Sequence, residues 1–259
     1  MIRYKISLEY LGSDFFGSQE QKNERTVQGE LLKALCTLTK NNKTKVIMAG
    51  RTDAKVSAEN QSAHFDCEFE INDTSKFLNS LNAILPDSIR VFQIESVASF
   101  HAQKSATYRH YRYKINNSPY KKSVFDVNAF HTRQKFDIKR MNEALSFITG
   151  EHDFSAFKSV SDNPSKNCII YYANAKRDLE YVLIDIVGNR FLYNMVRAIV
   201  GTLFYIESKN LTPFFMKDVL ESKQRENAGA NVEPVGLTLI KTGYDDPIEY
   251  IKKLNERQI

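Results

Sequence analysis

At 259 residues, 42% hydrophobic and 26% charged, the chain can form one large domain or two packed halves of an ordinary globular protein. No apolar run approaches the ~20 residues that cross a bilayer, and Met1-Ile2-Arg3-Tyr4-Lys5 lacks the apolar core of a signal peptide, so a cytoplasmic protein with no membrane partner is expected. The net charge of +5 leans toward a polyanionic partner; three scattered cysteines and five scattered histidines match no zinc or redox spacing, and ten dispersed glycines form no phosphate loop.

Ile2, Tyr4, Ile6, Leu8 and Tyr10 alternate with Arg3, Lys5, Ser7 and Glu9, which predicts a half-buried strand with one wet face. After a polar loop over 12–25, Thr26 is placed to cap a helix whose inner face is Val27, Leu31, Leu35 and Leu38. A short strand over 46–49 leads into a loop over 50–59. A second alternating strand then carries Ala63, Phe65, Cys67 and Phe69 on one face. Asp73 or Thr74 opens a helix with Phe77, Leu78, Leu81, Ile84 and Leu85 inward, Pro86 stops it, and Ile89 and Val91 mark a closing strand. The order β-α-β-β-α-β resembles a ferredoxin-like half, with helices on one face of an antiparallel sheet.

The second half reads as a decorated echo. Tyr111, Tyr113 and Ile115 alternate with Arg112 and Lys114 in a strand, and Asp137 caps a helix with Ile138, Met141, Leu145 and Ile148 inward and Gly150 as its stop. Strands over 169–176 and 181–187 meet at Asp178-Leu179-Glu180, a strongly apolar helix runs over 191–205, and Thr212-Pro213 starts another. A last strand covers 237–240, and Asp246-Pro247 starts a terminal helix. The expected fold class is α+β: two ferredoxin-like-related halves, 1–104 and 105–259, with antiparallel sheets joined into one extended sheet, helices on one face and a central cleft.

Four segments invite a functional reading. Gly50-Arg51-Thr52-Asp53-Ala54 follows a strand, the arrangement that fixes a backbone while leaving side chains free for a ligand, although an ordinary surface ion pair reads the same way. Phe100-His101-Ala102 and the run from Ser105 to Tyr113 interleave aromatic faces with cations, suiting bases and phosphates, although taken alone a tyrosine core with arginines in water is the plainer reading. Arg197 interrupts the apolar helix beside Met195, Val196, Ile199 and Val200; it needs a partner if buried, or snorkels to solvent. Gly236-Leu237 carries no meaning by itself.

In this order the segments resemble the tRNA pseudouridine synthase A (TruA) family along nearly the whole chain. The resemblance rests on Tyr10-Leu11-Gly12-Ser13-Asp14-Phe15-Phe16-Gly17-Ser18-Gln19-Glu20-Gln21, Thr26-Val27-Gln28, Gly50-Arg51-Thr52-Asp53, Tyr111-Arg112-Tyr113, Phe191 with Met195-Val196-Arg197 and Ile199-Val200-Gly201, and Gly236-Leu237. It implies Asp53 as catalytic aspartate and Arg197 as the basic residue paired with it. It further implies Arg51 filling the gap left by the flipped nucleotide, Tyr111 packing on the uracil and Leu237 lining the pocket. Family members act on uridines of the tRNA anticodon stem-loop as homodimers, without cofactor or metal.

The chemistry suits those residue types. The N1–C1′ bond breaks, the uracil turns and rejoins through C5, so nothing is exchanged with a redox cofactor. A carboxylate serves as nucleophile or base, and a guanidinium partner favours its ionised form. Eversion of the base costs a few kcal/mol, and an aromatic face returns about 1–3 kcal/mol.

The chain departs from the family at Ala54-Lys55-Val56-Ser57-Ala58, where bacterial members read Ala-Gly-Val-His-Ala, and at Ser18, where tryptophan is usual. Lys55 implies strain if the loop needs a positive φ, or a phosphate contact. Lys104, Arg109, Arg112, Lys114 and Arg190 are further phosphate candidates. The rival readings are a catalytically silent tRNA-binding module and a metal-dependent nuclease using Asp53 with Asp66 or Glu68.

Overall fold

The computed structural model describes residues 1–124, 126–160 and 166–256. These form two compact units, Met1–Ala106 with Leu239–Tyr244, and Thr107–Thr238 with Asp245–Ile259. The first unit holds β1 (Ile2–Tyr10), α1 (Val27–Thr39), β2 (Val46–Met48), β3 (Ser57–Cys67), α2 (Thr74–Ile84) and β4 (Ile89–Ser96). The second holds β5 (Tyr108–Asn116), β6 (Phe130–His131), α3 (Ile138–Ser146), β7 (Gly150–Asp153), β8 (Asn167–Asp178), β9 (Tyr181–Gly188), α4 (Met195–Lys209) and α5 (Phe215–Ser222). Strand β10 (Leu237–Gly243) joins the first unit from Leu239 onward, and α6 (Pro247–Glu256) belongs to the second. Both units are α+β.

In the first unit the sheet order is β4-β1-β3-β10, with β2 also on β3. Strand β1 runs antiparallel to β3 and β4. Its period-two pattern places Tyr4, Ile6, Leu8 and Tyr10 in the core, where Tyr4 stacks on Phe65 and Phe65 on Phe77 of α2. Thr26 and Asp73 cap α1 and α2 by accepting from Gly29 and Lys76 backbone N–H groups, about 1 kcal/mol each. The opposite face of β1 and β3 is less wet than alternation predicts: Ser7, Ser62 and His64 are buried. Residues 100–102 fold over it, with Ala102 N–H donating to His64 Nδ1 and Arg3 Nη1 to the Phe100 carbonyl. Strand β3 starts at Ser57, within the expected loop, and ends at Cys67. Phe69 therefore lies past the strand and is exposed.

In the second unit the order is β5-β9-β8-β7, all antiparallel, with the two-residue β6 parallel to β5. Strands β6 and β7 are too short to produce a readable alternation. Gly150 does not merely stop α3, which ends at Ser146; it opens β7 at φ +106°. Helix α4 begins at Met195 rather than 191, because Asn194 adopts a left-handed conformation (φ 61°) and breaks the helical run. Likewise α5 begins at Phe215, after a turn through Thr212-Pro213.

Helices cover both faces of β5. Tyr113 meets Phe204 of α4, whereas Tyr108 and His110, one face over, meet Tyr250 of α6: the Tyr108 and Tyr250 rings stack at 4.7 Å. Beneath α6 the fully buried Asp185 lies 2.8 Å from His110 Nε2 and accepts from Arg112 Nε at 2.7 Å. Burial pushes the Asp185 carboxyl up, but the His110 and Arg112 bonds outweigh it and hold it below the usual carboxylate range.

Candidate active site

The first unit presents Arg51 and Asp53 on the loop between β2 and β3. The loop backbone is gripped on both sides of Arg51. Gly50 carbonyl accepts from Gln61 Nε2 at 3.0 Å, and Thr52 exchanges two bonds with Ser18: Thr52 N–H to Ser18 Oγ at 2.8 Å and Ser18 N–H to the Thr52 carbonyl at 3.1 Å. Thr52 Oγ1 lies 2.8 Å from the Tyr10 hydroxyl. Burial pushes the Tyr10 phenol up to about 12, against its hydrogen bonds to Thr52, Gln61 and Ser18, so its hydroxyl keeps its proton at neutral pH. Beyond Asp53, Val56 N–H closes a turn on the Asp53 carbonyl and Lys55 N–H reaches the Phe15 carbonyl. With its backbone pinned, the loop leaves Arg51 exposed and Asp53 half-buried.

The family departures have structural consequences. Lys55 stands at φ 67° with its side chain exposed, so the positive-φ strain anticipated from the sequence is present. Ser57 is buried, and its Oγ accepts from Gly12 N–H at 2.9 Å. The glycine at 12 is required by close approach, since a Cβ there would lie 2.3 Å from the Val56 carbonyl. Ser18 is wholly buried and supplies the acceptor for Thr52.

In the second unit Tyr111 is almost buried, with the Phe191 ring edge-on at 5.1 Å and 87°. Arg197, in the first turn of α4, is half-buried; its Nε donates to the Val232 carbonyl at 2.9 Å and Nη1 to Asn194 Oδ1 at 2.9 Å. The Val232 carbonyl reaches the guanidinium because residues 229–232 lie directly on α4. Gly201 permits this, as a Cβ there would sit 1.7 Å from the Ala230 oxygen. Asn194, Val232 and Phe191 were not singled out as supports from the sequence; only their nearness to Arg197 and Tyr111 in the fold assigns them. Leu237, at the start of β10, is buried.

Several other expected cations and carboxylates are engaged elsewhere. Arg112 holds Asp185, Arg109 Nη1 donates to the Asn189 carbonyl at 2.7 Å, and the Lys114 ammonium lies 4.2 Å from the Tyr181 ring centre. Lys104 is exposed and Arg190 half-buried. Of the carboxylates on the nuclease reading, Asp66 has both oxygens bonded by Arg3, at 2.8 and 2.9 Å, and Glu68 accepts from Asn41 at 3.0 Å. Among the described residues no three His, Cys, Asp or Glu side chains cluster as a metal site, and no helix is long and apolar enough to cross a membrane.

Comparison with known proteins adds to this geometry. Residues 144–245, which include Arg197 and Leu237, match the family described as tRNA pseudouridine synthase. The tRNA pseudouridine synthase A of Colwellia psychrerythraea is 36% identical over 253 residues, 97% of each chain. That of a Shewanella species is 37% identical over 97% of this chain and 96% of its own. That of Anoxybacillus flavithermus is 38% identical over 95% of this chain and all of its own. The chain belongs to the tRNA pseudouridine synthase A family.

Proposed function

We propose that this protein is an isomerase that converts uridine to pseudouridine in tRNA. The observation that carries the reading is end-to-end identity of 36–38% with proteins named for that activity. The gripped loop supports it, because the carboxylate of a rearranging enzyme must hold its place while the detached base turns.

In the proposed reaction Asp53 acts at the ribose carbon as nucleophile or base, and Arg197 is the basic group that accompanies it. Arg51 occupies the gap in the RNA, Tyr111 packs on the everted uracil, Leu237 lines the base pocket and Lys55 meets the RNA backbone. The target uridines lie in the anticodon stem-loop, at positions 38–40. The protein works in the cytoplasm as a homodimer, which sedimentation at twice the mass of one chain would support and sedimentation at a single mass would refute.

The test is tritium release from C5-labelled tRNA, since joining through C5 frees that hydrogen. Wild type releases tritium, and Asp53→Asn loses on the order of 10³-fold in rate. Release by both proteins, or by neither, overturns the assignment.

A further inference from the structure

The grip on Thr52 is more elaborate than a surface loop needs. A fully buried serine and a buried tyrosine converge on Thr52, and a buried glutamine holds Gly50 on the other side of Arg51; their bonds span 34, 42 and 11 positions of sequence. Gln61 is itself held, with its Oε1 accepting from Ser62 N–H at 3.2 Å and from Thr242 Oγ1 at 3.3 Å. A network satisfied at every buried member admits one arrangement of the backbone it holds. Asp53 is the next residue along, so its Cα inherits whatever position Thr52 takes.

We infer that Thr52, Tyr10 and Ser18 are positioning residues for Asp53: the Thr52 hydroxyl, held by Tyr10, and the Thr52 peptide, held by Ser18, set the carboxylate against the reacting ribose carbon. None of the three touches substrate. The inference rests on Asp53 being the reacting carboxylate. It predicts loss in the chemical step rather than in tRNA affinity, because a displaced carboxylate leaves the RNA contacts intact.

Thr52→Val removes the hydroxyl at constant shape, Thr52→Ser restores it, and Tyr10→Phe removes only the partner oxygen from a ring that stays buried. For each, single-turnover conversion of saturating tRNA is read beside the tRNA dissociation constant, with Asp53→Asn in parallel. Thr52→Val and Tyr10→Phe should convert tRNA on the order of 10-fold to 100-fold more slowly, with the dissociation constant unchanged. Thr52→Ser should approach wild type, and the Tyr10→Phe, Thr52→Val pair should be no slower than either alone, because both remove one interaction. A wild-type rate in Thr52→Val, or a Thr52→Ser as slow as Thr52→Val, overturns the inference while a dead Asp53→Asn leaves the proposed function standing. A fully active Asp53→Asn overturns both.

Discussion

At Lys55 a backbone strain stands beside the proposed RNA contact. Among the described residues seven non-glycine residues have positive φ, and three of them, Lys40, Asn210 and Lys223, stand at helix C-caps, where a left-handed residue closes the helix. Lys40 and Lys223 also place a cationic residue at the negative end of a helix, a favourable position. Lys55 has neither compensation, because it stands in the turn that Val56 closes on Asp53. Left-handed strain of about 1–2 kcal/mol, set against the extra chain entropy of glycine at about 0.5–1 kcal/mol, gives a net gain of roughly 0.5–1 kcal/mol for Lys55→Gly. Chemical denaturation should show that gain, and tRNA binding should weaken with a shallower salt dependence if the ammonium meets a phosphate. Equal stability would dismiss the strain, and an unchanged salt slope would dismiss the phosphate contact.

At the scale of elements, α4 carries a glycine where helix propensity alone favours alanine by about 1 kcal/mol. Tertiary contact reverses that preference at Gly201: the new methyl would meet the Ala230 oxygen at 1.7 Å, and a backbone atom cannot swing aside. The displaced segment contains Gly229, whose N–H bonds Thr202 Oγ1, and Val232, whose carbonyl holds Arg197. Gly201→Ala should therefore cost about 1–3 kcal/mol in denaturant unfolding and slow turnover as well. A stabilised, fully active variant would refute the close approach. Helix α4 was legible as a long, strongly apolar run. Its first residue was not, because Phe191 and Leu192 continue the apolar run through a turn that Asn194 ends.

For the molecule as a whole, acid is the condition its buried groups resist least. Burial, then the positive charge of Arg3, pushes His64 down to about 4 from 6.5. An unfolded His64 takes a proton between those values while the folded one does not, so stability falls as pH drops from about 6.5 to 4. Asp66, held low by its Arg3 bond, and Asp185, held low against its burial, act in the same direction at lower pH. Their stabilisation is complete above the unfolded carboxylate value and is lost only as pH falls through their lower folded values. Denaturation curves across pH should show a loss beginning near 6.5 and steepening below 4. The upper limb should vanish in His64→Gln, and a flat wild-type profile between 6.5 and 4 would refute the neutral, buried imidazole.

By itself the sequence determined the kinds and order of most elements, their capping residues and the family. These depend on period, local hydrogen bonds and short motifs, each confined to a few neighbouring positions. Only the tertiary structure decided that Ser18 is a buried acceptor for the Thr52 peptide, that Arg112 is committed to Asp185, and that Tyr10 and Gln61 hold the Asp53 loop. Those assignments join residues 11 to 73 positions apart, and strand register with burial, rather than local pattern, brings such partners within 3 Å.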